Sequence, residues 1–185
     1  MRHITNINYK WAFSKEATAV PSEICNKWNF VNLPHSWNAI DGQDGGNDYY
    51  RGTAYYAKQL NKFDLPKADR HYLEINGANS SAEVYLNGEK LAQHDGGYST
   101  WRVDITEQLK EENLLVIAVD NSANDRVYPQ VADFTFYGGL YRDVNIISVA
   151  DSHFDLDHFG GPGIKWTWHT LPQANTPGIE VSMFS

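Results

Sequence analysis

A chain of 185 residues allows one domain of ordinary size, or one domain and part of a second. Its composition is that of a folded globular protein, with 42% hydrophobic and 21% charged residues. The net charge of −8, from 15 Lys and Arg against 23 Asp and Glu, argues against a sequence-independent nucleic-acid binder, which needs a basic face.

The first residues lack the apolar core of a secretory signal, and no run of 18 apolar residues follows anywhere in the chain. We therefore expect a cytoplasmic protein that makes no contact with a membrane. The single cysteine, Cys25, excludes an internal disulfide, and we expect its side chain to be buried or half-buried.

The sequence pattern predicts short strands along most of the chain. Alternating or continuous apolar runs predict strands at 72–75, 82–86, 114–119 and 144–149. Asn87-Gly88 lies between residues 84–86 and 89–91 and predicts a type I′ hairpin turn, since both residues tolerate positive φ. Helical periodicity is confined to 106–112. Many short strands with Gly, Asn and Asp turns predict an antiparallel β-sandwich or barrel.

Two segments depart from this pattern. Residues 34–52 form a long polar, glycine-rich stretch, and a loop of such length in a compact domain is usually functional or disordered. Its Trp and two Tyr favour an ordered loop. After residue 149, Gly160-Gly161-Pro162-Gly163 interrupts the chain, and residues 179–184 alternate as a strand. We expect this last segment to begin a second sandwich.

Signals for cofactor and metal chemistry are weak. The sequence has no phosphate-binding glycine loop and no G-x-S-x-G nucleophile motif. The acidic stretch 41–48 departs from the EF-hand order, and the histidines of 153–169 lack zinc-ligand spacing. The aromatic residues are abundant, with 11 Tyr, 8 Phe and 6 Trp, and are equally compatible with a sugar-binding surface and an ordinary sandwich core.

Six motifs then occur in a distinctive order. They are Leu33-Pro34-His35-Ser36-Trp37-Asn38, residues 50–56 (YRGTAYY), residues 84–89 (VYLNGE), residues 94–99 (HDGGYS), Asp104-Ile105-Thr106 and residues 138–144 (GGLYRDV). In order and spacing the set resembles the N-terminal sugar-binding domain of glycoside hydrolase family 2. That family contains β-galactosidases, β-glucuronidases and β-mannosidases, and the resemblance covers about residues 5–150.

The resemblance implies an all-β fold, with residues 1–150 forming an antiparallel jelly-roll β-sandwich of the galactose-binding-domain-like type. It implies that residues 151–185 are a linker and the beginning of a truncated immunoglobulin-like β-sandwich. The two catalytic glutamates of the family lie on a barrel domain, so we expect no catalytic residue in this chain and no activity from the chain alone. The implied parent is a β-galactosidase-like enzyme.

The resemblance also implies substrate contacts. By its spacing from the 138–144 motif, Asp133 is expected to accept hydrogen bonds from sugar hydroxyls, and also to be a sodium ligand in the full-length enzyme. Asn47 or Asp48 is the nearest equivalent of a second sugar contact. Arg142 and Asp143 are expected to form a structural ion pair.

The implied partners are a β-galactoside or related glycoside, the downstream immunoglobulin-like and barrel domains, and further copies of the parent enzyme in a homo-oligomer. No cofactor is expected in this chain, whereas Na⁺ and Mg²⁺ are implied for the full-length enzyme. Two alternatives stay open: a free-standing carbohydrate-binding module, and an interaction domain without sugar contact.

Overall fold

The computed structural model describes residues 1–41, 49–128, 135–158, 160–170 and 177–184. Within these ranges the regular elements are β-strands and a single turn of 3-10 helix, Lys62–Asp64. The strands are β1 (His3–Asn6), β2 (Trp11–Ser14), β3 (Asn29–Val31), β4 (Thr53–Asn61), β5 (Arg70–Ile75), β6 (Ser81–Leu86), β7 (Glu89–Asp95), β8 (Trp101–Asp104), β9 (Glu112–Asp120), β10 (Val144–Val149), β11 (Ile164–Thr170) and β12 (Pro177–Met183). No helix in the described ranges is long and apolar enough to cross a bilayer.

Two antiparallel sheets form the sandwich. One has the order β1-β10-β5-β8 and the other the order β3-β2-β4-β9-β6-β7. The side chains between them belong to one hydrophobic cluster, which includes Leu73 and Ile146 of the smaller sheet and Tyr56 and Ile117 of the larger one, all fully buried. Each such burial contributes about 1.5–3 kcal/mol to stability. The all-β jelly-roll prediction is confirmed.

The outer face of each sheet is also covered. Tyr55 and Val116 of the larger sheet are buried under apolar side chains from the segment between β2 and β3, such as Trp28. On the smaller sheet, Tyr72 and Ile147 are buried under Leu156, which follows β10 in the chain. Both sheets are therefore apolar on two faces, which explains why β9 and β10 are nearly continuous apolar runs.

An arginine holds the segment after β10 against the smaller sheet. Arg102 Nε and Nη2 each lie 2.7 Å from Glu74 Oε2, and both side chains are more than 90% buried. Arg102 Nη1 donates to the backbone carbonyls of Leu156 at 2.7 Å and Gly161 at 3.0 Å. One buried cation thus joins the sandwich to the start of the β11–β12 hairpin.

The predicted strands are all present, and so is the predicted hairpin turn. Asn87 and Gly88 have φ of 54° and 86°, and Leu86 pairs with Glu89 across the two-residue loop. This geometry is the one that the Asn-Gly sequence favours.

The weak helical periodicity at 106–112 does not correspond to a helix in the structure. The backbone N–H and the hydroxyl of Thr106 both donate to the carboxylate of Asp104, which closes a local turn. Asn113 then caps Lys110 by bonding both its N–H and its carbonyl, and β9 has already begun at Glu112. Such side-chain to backbone bonds compete with helical ones. Cys25 is exposed, contrary to expectation, because it lies in the irregular segment between β2 and β3.

Candidate functional site

The candidate site lies where several strands of the larger sheet end together. Thr53 at the start of β4 pairs with Asp120 at the end of β9, and Ser81 at the start of β6 pairs with both Asp120 and Asp95. The loops that adjoin these residues therefore emerge on the same side. We call this side the loop end of the sandwich, residues 32–52 the first site loop, and residues 121–143 the second site loop.

The three predicted substrate-contact residues belong to these two loops. Asn47 and Asp48 lie in the first site loop and Asp133 lies in the second, and all three fall outside the described residues. The structure does describe the chain on both sides of them. These flanking segments are residues 34–41 and 49–52 in one loop, and 121–128 and 135–141 in the other.

A hydrogen bond between two buried asparagines joins the two site loops. Asn38 and Asn121 are both fully buried, and Asn121 Nδ2 donates to Asn38 Oδ1 at 3.2 Å. Asn38 Oδ1 also accepts from the backbone N–H of Gly138 at 2.7 Å, and Asn38 Nδ2 donates to the carbonyl of Tyr50 at 3.0 Å. Asn38 thus bonds both loops at once.

Asn121 completes this network from the other side. Its Nδ2 donates to the carbonyl of Phe136 at 3.1 Å, and its Oδ1 accepts from the backbone N–H of Gly52 at 2.9 Å. The carbonyl of Asn121 accepts from Arg51 Nε at 3.0 Å. Buried amide side chains are costly unless their hydrogen bonds are made, so these bonds specify one arrangement of the two loops.

Asp41 holds the described flanks of the first site loop together. Its carboxylate accepts from Asn38 Nδ2 at 3.1 Å and from the backbone N–H of Tyr50 at 3.1 Å. Residues 41 and 50, on either side of the stretch that contains Asn47 and Asp48, are therefore neighbours in space.

Two glycines allow the second site loop to pack closely on the first. A Cβ at Gly138 would lie 2.0 Å from Cζ2 of Trp37, which is buried. A Cβ at Gly139, where φ is +136°, would lie 2.3 Å from the carbonyl oxygen of His35. Larger residues would clash with the first site loop, which explains why this sequence has glycine at both positions.

An aromatic row, formed by Tyr49, Phe136, Tyr128 and Tyr98, crosses the loop end. The hydroxyl of Tyr49 accepts from the backbone N–H of Phe136 at 3.3 Å. The Phe136 and Tyr128 rings are 6.3 Å apart, and the Tyr128 and Tyr98 rings stack at 5.2 Å with an interplanar angle of 19°. The row joins the first site loop, the second site loop and the β7–β8 loop.

The electrostatics of the site favour neutral rings and an ionised carboxylate. Burial lowers the pKa of His35, whose Nδ1 is 2.8 Å from the hydroxyl of Tyr56. Burial also raises the pKa of Tyr128, with a further contribution from Tyr98. For Asp120, burial opposes ionisation, but hydrogen bonds from Ser122 and Thr53 outweigh it and lower the pKa.

The predicted ion pair between Arg142 and Asp143 is wrong. Arg142 Nη1 donates to the carbonyls of Tyr98 at 3.0 Å and Asn76 at 3.3 Å, whereas Asp143 Oδ1 accepts from Asn8 Nδ2 at 2.7 Å. The two side chains therefore bind different neighbours and not each other. Arg142 supports the β7–β8 loop instead.

In the part of the chain that the structure describes, no three His, Cys, Asp or Glu side chains come together as a metal site. A sodium or magnesium site therefore gains no support from the described side chains, and Asp133 lies outside them. The described site offers hydrogen-bonding groups and aromatic faces on a fixed scaffold, an arrangement suited to holding a polar ligand with flat apolar faces.

Sequence reasoning missed the structural roles of Asn38 and Asn121. Asn38 belongs to the first quoted motif and Asn121 to the turn after β9, and both resembled ordinary polar loop residues. The sequence did hold one indication that Asn38 is buried. Asn38 directly follows Trp37, and a large aromatic side chain in a long loop tends to be buried together with its neighbours.

Comparison with known proteins shows which family the chain resembles. Residues 48–154 match the family described as glycosyl hydrolase 2 galactose-binding domain-like. The chain is 37% identical over 152 residues to a putative β-glucuronidase of Formosa agariphila, a match that covers 80% of this chain and 18% of the relative. It is 28% identical over 172 residues to a β-galactosidase of Thermoanaerobacter pseudethanolicus, which covers 85% of this chain and 22% of the relative.

The chain is also similar in structure to solved glycosidase structures. An FMN-binding β-glucuronidase from Faecalibacterium prausnitzii L2-6 matches with a TM-score of 0.85 and 40% identity, over 100% of this chain and 28% of that protein. The chain spans about a fifth of the length of the curated relatives it matches.

Proposed function

Because the chain belongs to glycoside hydrolase family 2, as a galactose-binding-like domain, we propose that it forms one wall of a β-glycosidase substrate pocket. The wall is the loop end of the sandwich. The acid/base and nucleophile are proposed to lie on a barrel domain of the longer protein, where the family resemblance puts its two glutamates.

The observation that carries this proposal is the hydrogen bond between Asn38 and Asn121. It fixes the two site loops against each other at their described flanks, and these loops contain Asn47, Asp48 and Asp133. We propose that Asp133 accepts hydrogen bonds from adjacent sugar hydroxyls, which suits a carboxylate because charge-assisted bonds are the stronger ones. Asn47 or Asp48 is proposed as a second contact.

The sugar preference is proposed to be a β-glucuronide or a β-galactoside. Curated relatives named β-glucuronidase or putative β-glucuronidase include matches at 37% and 35% identity, and those named β-galactosidase include matches at 30% and 28%. These identities favour the glucuronide over the galactoside that the motifs alone suggested. A sodium ion beside Asp133, and a magnesium ion elsewhere in the longer protein, remain part of the proposal.

We further propose that residues 151–185 are a linker and the start of an immunoglobulin-like domain. The support is the β11–β12 hairpin, in which Trp166 pairs with Val181 and both side chains are exposed. Met183, two residues further along β12, is exposed as well. A sheet face of this kind needs a second layer to cover it, which an immunoglobulin-like sandwich would supply.

The test is an activity assay of the longer protein that carries this chain. The purified protein is supplied with p-nitrophenyl β-glucuronide and p-nitrophenyl β-galactoside, and release of nitrophenol is measured. Turnover of either substrate that is lost when the two barrel glutamates are replaced by glutamine supports the proposal. Absence of turnover, combined with micromolar binding of free sugar, would instead identify a carbohydrate-binding module. Absence of both would leave an interaction domain.

A further inference from the structure

We propose that Tyr98 and Tyr128 form an outer platform that binds the leaving group of the glycoside when that group is a sugar ring or an aryl ring. This inference rests on the proposed function and deepens it, because it names a second part of the substrate. The platform residue that meets the ligand is Tyr98, and Tyr128 supports it from behind.

The geometry leaves one face of Tyr98 available. Tyr98 stacks on Tyr128 with ring centroids 5.2 Å apart and an interplanar angle of 19°, so its inner face is covered. The side chain is nevertheless 57% exposed, which places the free surface on the outer face and ring edge. A flat, oriented and accessible aromatic ring is the surface on which a sugar or an aryl group stacks.

Both members of the platform are fixed before any ligand arrives. The hydroxyl of Tyr128 donates to Asn79 Oδ1 at 2.8 Å, and Asn79 is itself buried. The backbone of the β7–β8 loop is held by Arg142 Nη1 at the carbonyl of Tyr98 and by the Tyr141 hydroxyl at the carbonyl of Gly97. A platform organised in advance loses little conformational entropy on binding.

The position of the platform matches a leaving-group site. The β7–β8 loop leaves the sheet at Asp95, which pairs with Ser81 and so lies at the loop end with both site loops. Tyr128 directly precedes the segment that carries Asp133, and its ring is 6.3 Å from Phe136 on the far side of that segment. Tyr128 therefore joins the platform to the second site loop, the loop whose sequence contains Asp133, the proposed sugar contact.

The platform makes no contact with the reacting atoms, so it should affect selectivity among leaving groups. A substrate whose leaving group is methanol has nothing to stack, whereas nitrophenol or a second sugar does. Loss of the Tyr98 ring should therefore slow the ring-bearing substrates by about 10-fold in kcat/KM, which corresponds to about 1.4 kcal/mol, and leave the methyl glycoside nearly unchanged.

The experiment compares four forms of the longer protein: wild type, Tyr98→Ala, Tyr98→Phe and Phe63→Ala. Phe63 is the matched control because it is 76% exposed and follows the opposite end of β4. Each form is assayed with the methyl glycoside, the p-nitrophenyl glycoside and a disaccharide of the preferred sugar. Thermal melts report folding, and saturation-transfer NMR with a phenyl glycoside reports ring contact independently of turnover.

The platform is supported if only Tyr98→Ala loses activity, selectively on ring-bearing substrates, and loses the NMR contact to the phenyl ring. Equal losses on all three substrates, or wild-type selectivity in Tyr98→Ala, would overturn it while leaving the proposed glycosidase function intact. If wild type turns over no glycoside, the proposed function fails, and the NMR comparison alone then decides whether Tyr98 binds a ring.

Discussion

Asn38 and Asn121 lie 83 residues apart in the sequence, are both fully buried and are joined by a 3.2 Å hydrogen bond between their side chains. The side-chain amide of Asn121 also accepts from the N–H of Gly52 in the first site loop and donates to the carbonyl of Phe136 in the second. The pair therefore determines how the two site loops meet.

Asn121→Ala should destabilise the protein and disturb the site together. The substitution leaves the N–H of Gly52 and the carbonyl of Phe136 without their partner, at about 1–3 kcal/mol for each unsatisfied group. For a domain of this size, 1 kcal/mol lowers the melting temperature by about 2–4 °C. Thermal melts of wild type and variant provide the measurement, with the exposed Asn26→Ala as control. A melting temperature equal to that of wild type would refute the role of Asn121.

Some of the strands were predictable because their signals are local. Alternation with period 2 and the Asn-Gly turn specify β6 and β7 without reference to the rest of the chain, and the structure confirms them. The helical periodicity at 106–112 produces no helix, also for a local reason, since Asp104 and Asn113 form hydrogen bonds with backbone groups of this segment. Helix propensity alone does not account for side chains that form hydrogen bonds with the backbone in place of the helical ones.

For the candidate site, the sequence predicted which loops form it but not which side chains hold those loops together. The family motifs identify the two loops, but one sequence does not reveal that Asn38 and Asn121 are buried against each other, because burial depends on contacts between distant segments. The Arg142–Asp143 error has the same origin. Proximity along the chain suggested a pair, whereas the fold brings Tyr98 to one residue and Asn8 to the other.

Arg102→Met should cost more than removal of an exposed arginine. Arg102 and Glu74 are 5% and 8% exposed, and breaking a buried pair by removing one partner costs about 3–5 kcal/mol. The Arg126–Asp95 pair, in which the arginine is 55% exposed, is the control, and Arg126→Met should cost about 0–1 kcal/mol. Urea unfolding measures both variants.

A second readout separates local from global effects of Arg102→Met. Since Arg102 also bonds the carbonyls of Leu156 and Gly161, limited proteolysis should become faster within residues 150–163. Equal urea midpoints for the two arginine variants would contradict this account. Glu74→Met combined with Arg102→Met should recover part of the loss, because no unpaired charge then remains buried.

Stability should fall as the pH is lowered through the range in which histidine titrates. Burial lowers the pKa of His35, His71 and His94, with Lys62 adding to the effect at His71, whereas Asp104 and Asp95 partly oppose it at His71 and His94. The unfolded chain, with a histidine pKa of about 6.5, then binds protons that the folded chain does not. Stability is therefore fully present above pH 6.5 and is lost as the pH falls toward the folded pKa values.

The size of this effect follows from linkage. Each such proton contributes about 1.4 kcal/mol per pH unit over the range between its unfolded and folded pKa. Urea unfolding at pH 7.5, 6.5 and 5.5 measures the slope, and NMR titration of the ring protons measures each folded midpoint. A flat stability profile, or midpoints above 6.5 for these three rings, would be inconsistent with their burial.

The 185-residue chain alone should be catalytically silent and should bind free sugar weakly. The family resemblance puts both catalytic glutamates outside it, and one wall of a pocket buries little of a monosaccharide. A dissociation constant near 1 mM corresponds to only about −4 kcal/mol. Assays with nitrophenyl glycosides, and NMR titration with galactose, glucuronate and lactose, test both statements. Turnover that purifies with the folded chain, or a micromolar constant, would contradict them.

Asp133→Ala in the longer protein should lower kcat/KM while leaving the fold intact. A hydrogen bond to a charged acceptor contributes about 1.5–3 kcal/mol. Losing this amount in the transition state slows the reaction roughly 10- to 150-fold, at about 1.36 kcal/mol per decade. The described hydrogen bonds between the two site loops run through Asn38 and Asn121, so we expect the fold to survive loss of the Asp133 side chain.

Asn47→Ala and Asp48→Ala are the matched controls for Asp133→Ala, and each should have a smaller effect, since the first site loop corresponds less well to the family pattern. Steady-state kinetics and thermal melts of the four proteins provide the measurement. Wild-type kinetics in Asp133→Ala would mean that this domain acts as a scaffold only. A large drop in its melting temperature would instead assign Asp133 a structural role, because the lost activity would then follow from unfolding.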